Sequence, residues 1–183
     1  VAKKIALGVL GVLVLLIGGL LATASMQPDE FKLERSRDIA AAPDAIWTHL
    51  ADFSKWKAWS PWDKLDPNQT TTITGTVATI GHTSAWSGNS DVGKGQMVLN
   101  KIDAPKELGI DLTFIEPFAA HNLTTFVLTP DGAKTKVTWS MSGKNDLMGK
   151  VFGLFMDMDK MVGKDFEDGL ANLDGVVTGK AAE

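Results

Sequence analysis

Asp159 is the residue whose position makes the sharpest chemical demand. It lies in a run where Met148, Val151, Phe152, Phe155, Met158, Val162, Phe166, Leu170, Leu173 and Val176 recur at three- and four-residue steps. That is the period of one helix face. At about 100° per residue, Asp159 falls about 20° from Met148, in the middle of the apolar face. An ionised carboxylate there costs several kcal/mol unless it is paired or hydrogen-bonded. Lys160 and Lys164 project to the outer face, where Asp157, Glu167 and Asp168 are the natural partners. On a straight helix Asp159 faces the interior, accepts a Trp or backbone N–H or carries a raised pKa, and anchors a ligand head group. On a helix bent at Gly153 or Gly163 it reaches water as an ordinary surface residue. The inward position is the one expected.

Six tryptophans are the second feature. Trp47, Trp56, Trp59 and Trp62 fall within sixteen residues, and Trp86 and Trp139 lie in alternating stretches. Each brings a large apolar face and one N–H donor, which suits either a packed core corner or the rim of an apolar cavity. In the first half of the last helix, Leu147, Leu154 and Met161 widen the apolar face into a broad arc. Such an arc covers more than one packed sheet: a cavity, a loop or a membrane-facing patch, with plain core as the alternative. The candidate ligand contacts are therefore Trp59, Trp62, Trp86, Phe114, Trp139, Phe155, Met158 and Asp159. Trp86, Phe114, Trp139, Phe155 and Met158 are expected to line a cavity of roughly 300–1,000 Å³. The parity of Ala119–Thr129 is ambiguous, because Leu123/Val127 and Phe126/Leu128 alternate on opposite faces. His121 and Asn122 are accordingly left out.

Catalytic and metal signatures do not emerge. His49, His82 and His121 sit in different elements without i,i+4 pairing, and the chain has no cysteine, so neither a metal set nor a thiol nucleophile is drawn. No G-x-S-x-G elbow occurs. Gly93-Lys94-Gly95 lacks a third glycine and opens a strand, which reads as a hairpin turn rather than a phosphate loop. No catalytic residue, metal site or cofactor is assigned.

The elements that must position these residues follow from periodicity. Residues 31–39 alternate as a first strand, and Pro43 opens a helix carrying Ile46, Trp47, Leu50 and Phe53. Residues 55–62 read as a second short helix and loop. Period-two candidates are Thr71–Thr79, Gly81–Ser87, Gly93–Ile102, Glu107–Glu116, Ala119–Thr129 and Lys134–Ser142, separated by turn residues. From Asp146 the period returns to 3.6 for about thirty residues, one long C-terminal helix. The layout is α+β, with helices segregated from an antiparallel sheet.

Residues Ile5–Ala24 form a 20-residue run without charge, long enough as a helix to cross a hydrocarbon core of ~30 Å. Lys3 and Lys4 precede it, which places the N-terminus in the cytoplasm and the remainder outside. The expectation is an inner-membrane, single-pass protein with a periplasmic domain. The alternative is a cleaved signal peptide ending at Ala22-Thr23-Ala24. The organisation expected is an anchor over 1–24, a linker over 25–30, a domain over 31–178 and a tail over 179–183. Without Lys3 and Lys4 the chain carries 16 basic and 22 acidic residues, a net charge of −6. That balance argues against a nucleic-acid partner.

Several stretches together resemble the START-like, or SRPBCC, superfamily in its polyketide-cyclase branch, in particular small bacterial members with an N-terminal hydrophobic segment. They are Ile39-Ala40-Ala41-Ala42-Pro43 running into Ile46-Trp47, Leu50-Ala51-Asp52-Phe53 and Trp59-Ser60-Pro61-Trp62. Further on come Phe114-Ile115-Glu116-Pro117-Phe118, Thr138-Trp139-Ser140-Met141 and the segment from Gly153 to Met161. The resemblance covers about 30–178. It implies a helix-grip fold, a seven-stranded antiparallel sheet around the C-terminal helix, with an internal apolar cavity for lipids, sterols or polyketides. It transfers no catalytic residue. The leading function is a membrane-tethered binder or carrier of a hydrophobic molecule. Alternatives are a cyclase or hydratase using a buried carboxylate such as Asp159 or Glu116, and an accessory subunit docked on a membrane-protein partner through Gly18/Ala22 and Gly19/Thr23.

Overall fold

The computed structural model describes residues 2–180, apart from the side chains of residues 2–7, 9 and 158. Helix α1 (Ala2–Ser25) is followed by β1 (Glu30–Ile39), α2 (Pro43–Leu50) and short 3₁₀ turns at Phe53–Ala58 and Trp62–Lys64. Then come β2 (Thr70–Thr74), β3 (Thr83–Ser87), β4 (Lys94–Asp103), β5 (Glu107–Glu116), β6 (Ala120–Asp131) and β7 (Lys134–Lys144). Helices α3 (Leu147–Gly153) and α4 (Met158–Thr178) close the chain. The seven strands form one sheet in the order β1-β7-β6-β5-β4-β3-β2, and neighbours from β2 to β7 pair antiparallel. The curved sheet with its C-terminal helix fits the expected helix grip.

The chain divides into two compact units. The larger holds Lys32–Gly143 and the chain from Asp159 onward. Its core lies on one sheet face, where alternation puts Leu108, Ile110, Phe126, Leu128, Val137 and Trp139 out of water. Helix α4 lies on this face. Phe166 stacks on Trp139 with ring centroids 4.0 Å apart and planes 11° apart, and Phe166, Leu170 and Leu173 are fully covered. Gly169 permits the approach, since a Cβ there would stand 2.8 Å from the Trp139 ring. The helix is also tied to β1. Arg37 Nε donates to Asp174 Oδ2 at 2.9 Å, and Arg35 reaches both Asp159 and Glu167.

The connection after α2 is held by buried polar contacts. Trp56 Nε1 donates to the Leu50 carbonyl at 3.0 Å. His82, fully buried, stacks on Phe53 and bridges two loops: Nδ1 lies 3.1 Å from the Thr74 carbonyl, and the Phe53 N–H donates to Nε2 at 3.3 Å. A neutral ring with the proton on Nδ1 satisfies both contacts. The expected strand Thr71–Thr79 stops at Thr74 because Gly75 turns at φ +80°. Its Cβ would meet the Gly81 carbonyl, so only glycine closes that loop.

The smaller unit holds the chain up to Phe31 and Lys144–Met158. Within it α1 packs against α3. The Asn145 N–H donates to the Asp29 carbonyl at 2.8 Å, its side chain donates to Pro28, and Lys150 pairs with Asp29.

Two expectations are corrected here. The spanning helix over 5–24 is not supported: among the described residues no helix is long and apolar enough to cross a membrane. Residues 5–7 and 9 of the expected span have side chains outside the described set. The single-pass inner-membrane location with a periplasmic domain rested on that span and falls with it. The single C-terminal helix is likewise two, α3 and α4, separated by Leu154–Asp157. Gly153 ends the first, where glycine costs up to about 1 kcal/mol relative to alanine. Asp157 stands just before the second, where Asp is a favoured N-cap.

The two glycines of α4 that face the sheet differ in what limits them. Gly169→Ala drives a methyl into a ring fixed on both sides. Overpacking of about 1–3 kcal/mol exceeds the helix gain of up to about 1 kcal/mol, so a Tm loss of roughly 2–8 °C is expected in thermal unfolding. Gly163→Ala meets the guanidinium of Arg35, which must loosen its bonds to Asp159 and Glu167. Such pairs contribute about 0–1 kcal/mol each against a helix gain of up to about 1 kcal/mol, so the variant should lie within about 1 kcal/mol of the parent. Equal effects at the two sites would contradict this account.

Candidate functional site

Register shows which side chains share the inner face. Gly95, Met97 and Leu99 of β4 stand opposite Phe114, Leu112 and Ile110 of β5. These last three stand opposite Ala120, Asn122 and Thr124 of β6. Towards one end of the strands this face is closed by the aromatic core. Trp59 and Trp139 meet edge to face at 5.6 Å, and Trp56 and Phe126 complete the cluster. Towards the other end it is half-covered: Trp86, Met97, Leu112 and Phe114 are intermediate in exposure.

Trp86 is placed by a glycine on the next strand. It pairs with Gly95, and its six-membered ring lies where a Gly95 Cβ would be, 2.5 Å away. Its Nε1 donates to the Val92 carbonyl at 3.0 Å. Phe114 presents an edge to it at 5.8 Å and 81°. The pair forms an aromatic shelf on the half-covered end. Gly93, read as a hairpin turn, does turn at φ +62° against Glu116, whereas Gly95 makes room for the shelf.

Trp62 meets Trp139 and Phe166 edge to face, at 5.7 Å and 6.2 Å. It also donates to Asp165, whose carboxyl is pushed up by burial and held back in part by this bond. Trp59 is fully buried, and its carbonyl accepts from Asn172 at 3.1 Å. The structure therefore gathers Trp86 with Phe114, and Trp59 with Trp62 and Trp139. Phe155 belongs to the smaller unit and is 74% exposed. Met158 has its side chain outside the described residues.

The inward carboxylate at 159 is corrected. Asp159 is 63% exposed and pairs with Arg35, whose Nη2 lies 3.0 Å from Oδ2 and donates also to the Asp159 carbonyl. The angular position was sound, since Asp159, Gly163, Phe166 and Leu170 follow one stripe of α4. But α4 begins at Met158, so Asp159 sits at its open end, and Arg35 lies across Gly163 to meet it. Hydrogen bonds to Asp159 first, and to Glu167, hold the guanidinium even more firmly protonated than usual.

Asn122 and Thr124 were missed. Both are more than nine-tenths buried on the inner face, and the Thr124 hydroxyl has no hydrogen-bond partner among the described residues. The clue was the choice of parity: Phe126 and Leu128, the bulkier pair, fix which face turns inward. Two surface depressions of about 510 and 480 Å³ lie elsewhere, around Arg37, Thr129 and Lys136 and around Lys64, Asn172 and Val176. Neither is lined by an expected contact residue. Among the described residues no group of His, Cys, Asp and Glu is arranged to hold a metal ion.

The raised carboxyl of Asp165 sets a pH signature. Its folded pKa exceeds the ordinary value of 3.8, so the ionised form is a penalty on the fold, present at neutral pH and absent once the pH falls below 3.8. Asp165→Asn keeps an acceptor for Trp62 and should raise Tm by at most a few degrees at pH 7, given partial exposure. The gain should shrink between pH 6 and pH 4. A gain that grows on acidification would reverse the assignment.

No curated protein matches the chain. Solved structures share its fold. A protein from Thermobifida fusca superposes with a TM-score of 0.63 at 18% identity, covering 83% of this chain and 96% of that one. One from Arthrobacter aurescens gives 0.59 at 18%, covering 82% and 87%. The Aha1 dimer from Colwellia psychrerythraea gives 0.58 at 18%, covering 80% and 96%. At these identities the likeness is one of fold alone. The profile of the polyketide cyclase/dehydrase and lipid transport family matches residues 30–178, the sheet and α4 included, and the chain belongs to that family.

Proposed function

We propose that this protein binds a hydrophobic small molecule, lipid-like or polyketide-like, on the half-covered end of the inner face, and carries it rather than transforms it. Residues 31–178 are the binding domain in this reading, and 179–183 a tail. The observation that carries it is the set of four apolar side chains, Trp86, Met97, Leu112 and Phe114, left half-exposed beside a fully covered aromatic core. Trp86 and Phe114 are the direct contacts. Trp139, with Trp59 and Trp62 behind it, is the rigid wall against which a ligand is pressed. The family's own description, which includes lipid transport, supports the class of ligand.

Magnitudes fit a modest binder. Covering about 300 Å² of apolar surface at ~25 cal/mol/Å² contributes roughly 7.5 kcal/mol before association costs. An affinity no tighter than micromolar is expected.

The test is titration with Nile red, together with mass spectrometry of an organic extract of the purified protein. Phe114→Ala and Trp86→Ala should each weaken Nile red binding at least fivefold, with the near-ultraviolet signal of the remaining tryptophans kept. A parent protein that takes up no dye and releases no apolar compound would overturn the reading. So would dye binding that is indifferent to both substitutions.

A further inference from the structure

Resting on that reading, we infer that Asn122 and Thr124 recognise the polar end of the ligand, and that this end is a neutral keto or hydroxyl group rather than a carboxylate or phosphate.

The two side chains are successive inner-face positions of β6, about 7 Å apart along the strand. Leu112 and Ile110 flank them on β5, and Gly143 and Met141 on β7. They thus form a short polar strip set between the shelf residues and Trp139. Asn122 is 7% exposed and Thr124 4%. The Thr124 hydroxyl is out of contact with water and has no partner among the described residues, and the Trp139 Nε1–H one inner-face step away on β7 is in the same condition. A buried polar group left unpaired is destabilising, so polar groups clustered in an apolar face point to a molecule that satisfies them.

Their chemistry selects the partner. An amide and a hydroxyl each donate and accept, and an indole N–H donates, a set that matches a carbonyl or hydroxyl. An anion would need a cation to offset its desolvation. The inner positions from Gly95 to Leu99, Leu108 to Phe114 and Asn122 to Leu128 carry no charge, and the next residue of that parity on β5, Glu116, is acidic. The arginines of β1 are already committed, Arg35 to Asp159 and Glu167 and Arg37 to Asp174.

The experiment uses the full chain and three probes of nearly equal size, naphthalene, 2-acetylnaphthalene and 2-naphthoate, in equilibrium dialysis at pH 7.5. The ketone should bind at least tenfold tighter than the carboxylate and more tightly than the hydrocarbon. That comparison needs no variant. In the double variant Asn122→Leu, Thr124→Val the ketone should fall to the affinity of naphthalene, while naphthalene itself is retained. If naphthalene binds the parent but ketone and carboxylate bind alike, or the double variant keeps the ketone preference, this inference fails and the apolar site stands. If none of the three binds the parent, the hydrophobic site itself is lost.

Discussion

The stacking of Trp139 on Phe166 is the contact from which the larger unit is built. A parallel overlap at 4.0 Å sets the distance between β7 and α4, and the absence of a Cβ at Gly169 makes that distance attainable. The closed half of the inner face then has a fixed ceiling. Trp59 and Trp62 can close edge to face on Trp139 only because α4 already lies across it. The ion pairs from β1 add direction more than strength. Exposed pairs contribute about 0–1 kcal/mol each, but Arg35 and Arg37, two residues apart on one strand face, meet Asp159, Glu167 and Asp174 along the helix and so align it.

The same arrangement divides the inner face in two. Where α4, α2 and the tryptophan turns converge, aromatic rings fill the space and no ligand is needed to complete the packing. Beyond Asn122 the cover is incomplete, while the apolar alternation of β4 and β5 continues through Met97, Leu112 and Phe114. A sheet surface half in water is costly for a protein to keep without use, since each uncovered Å² forgoes about 25 cal/mol. The glycine under Trp86 belongs to the same design: a residue with a Cβ at 95 would lift the ring off the sheet and remove the shelf. Unpaired polar groups at the boundary between the halves give this end chemical character, which a purely apolar groove would lack.

Much of the fold was legible in the sequence because its signals are local. Strand alternation in Glu107–Glu116 and Lys134–Lys144, Pro43 at a helix start and the apolar stripe of the last helix all depend on neighbours a few residues away. Trp86 and Phe114 could be nominated together from composition and alternation, as large apolar residues in alternating stretches of one sheet, although only the register shows that they meet across Gly95 of the intervening strand. The parity of β6 was the weak point: Leu123 and Val127 compete with Phe126 and Leu128, and a one-residue choice decides whether Asn122 and Thr124 point into the core or into water.

What the sequence determined by itself is thus the order and type of the elements, the apolar faces and the residue set from which a site must be drawn. Tertiary structure alone decided where charges and helix ends fall. Asp159 looked inward because extrapolation at 100° per residue assumes one unbroken helix and partners on that helix. The chain instead breaks at Leu154–Asp157, and the partner is Arg35, 124 residues away on a strand. The apolar run near the N-terminus was measured by the same local rule, and among the described residues no helix is long and apolar enough to cross a membrane. Periodicity reports what a residue's own element does. The satisfaction of a charge or a buried hydroxyl depends on what another element brings to it, and that is set only when the elements meet.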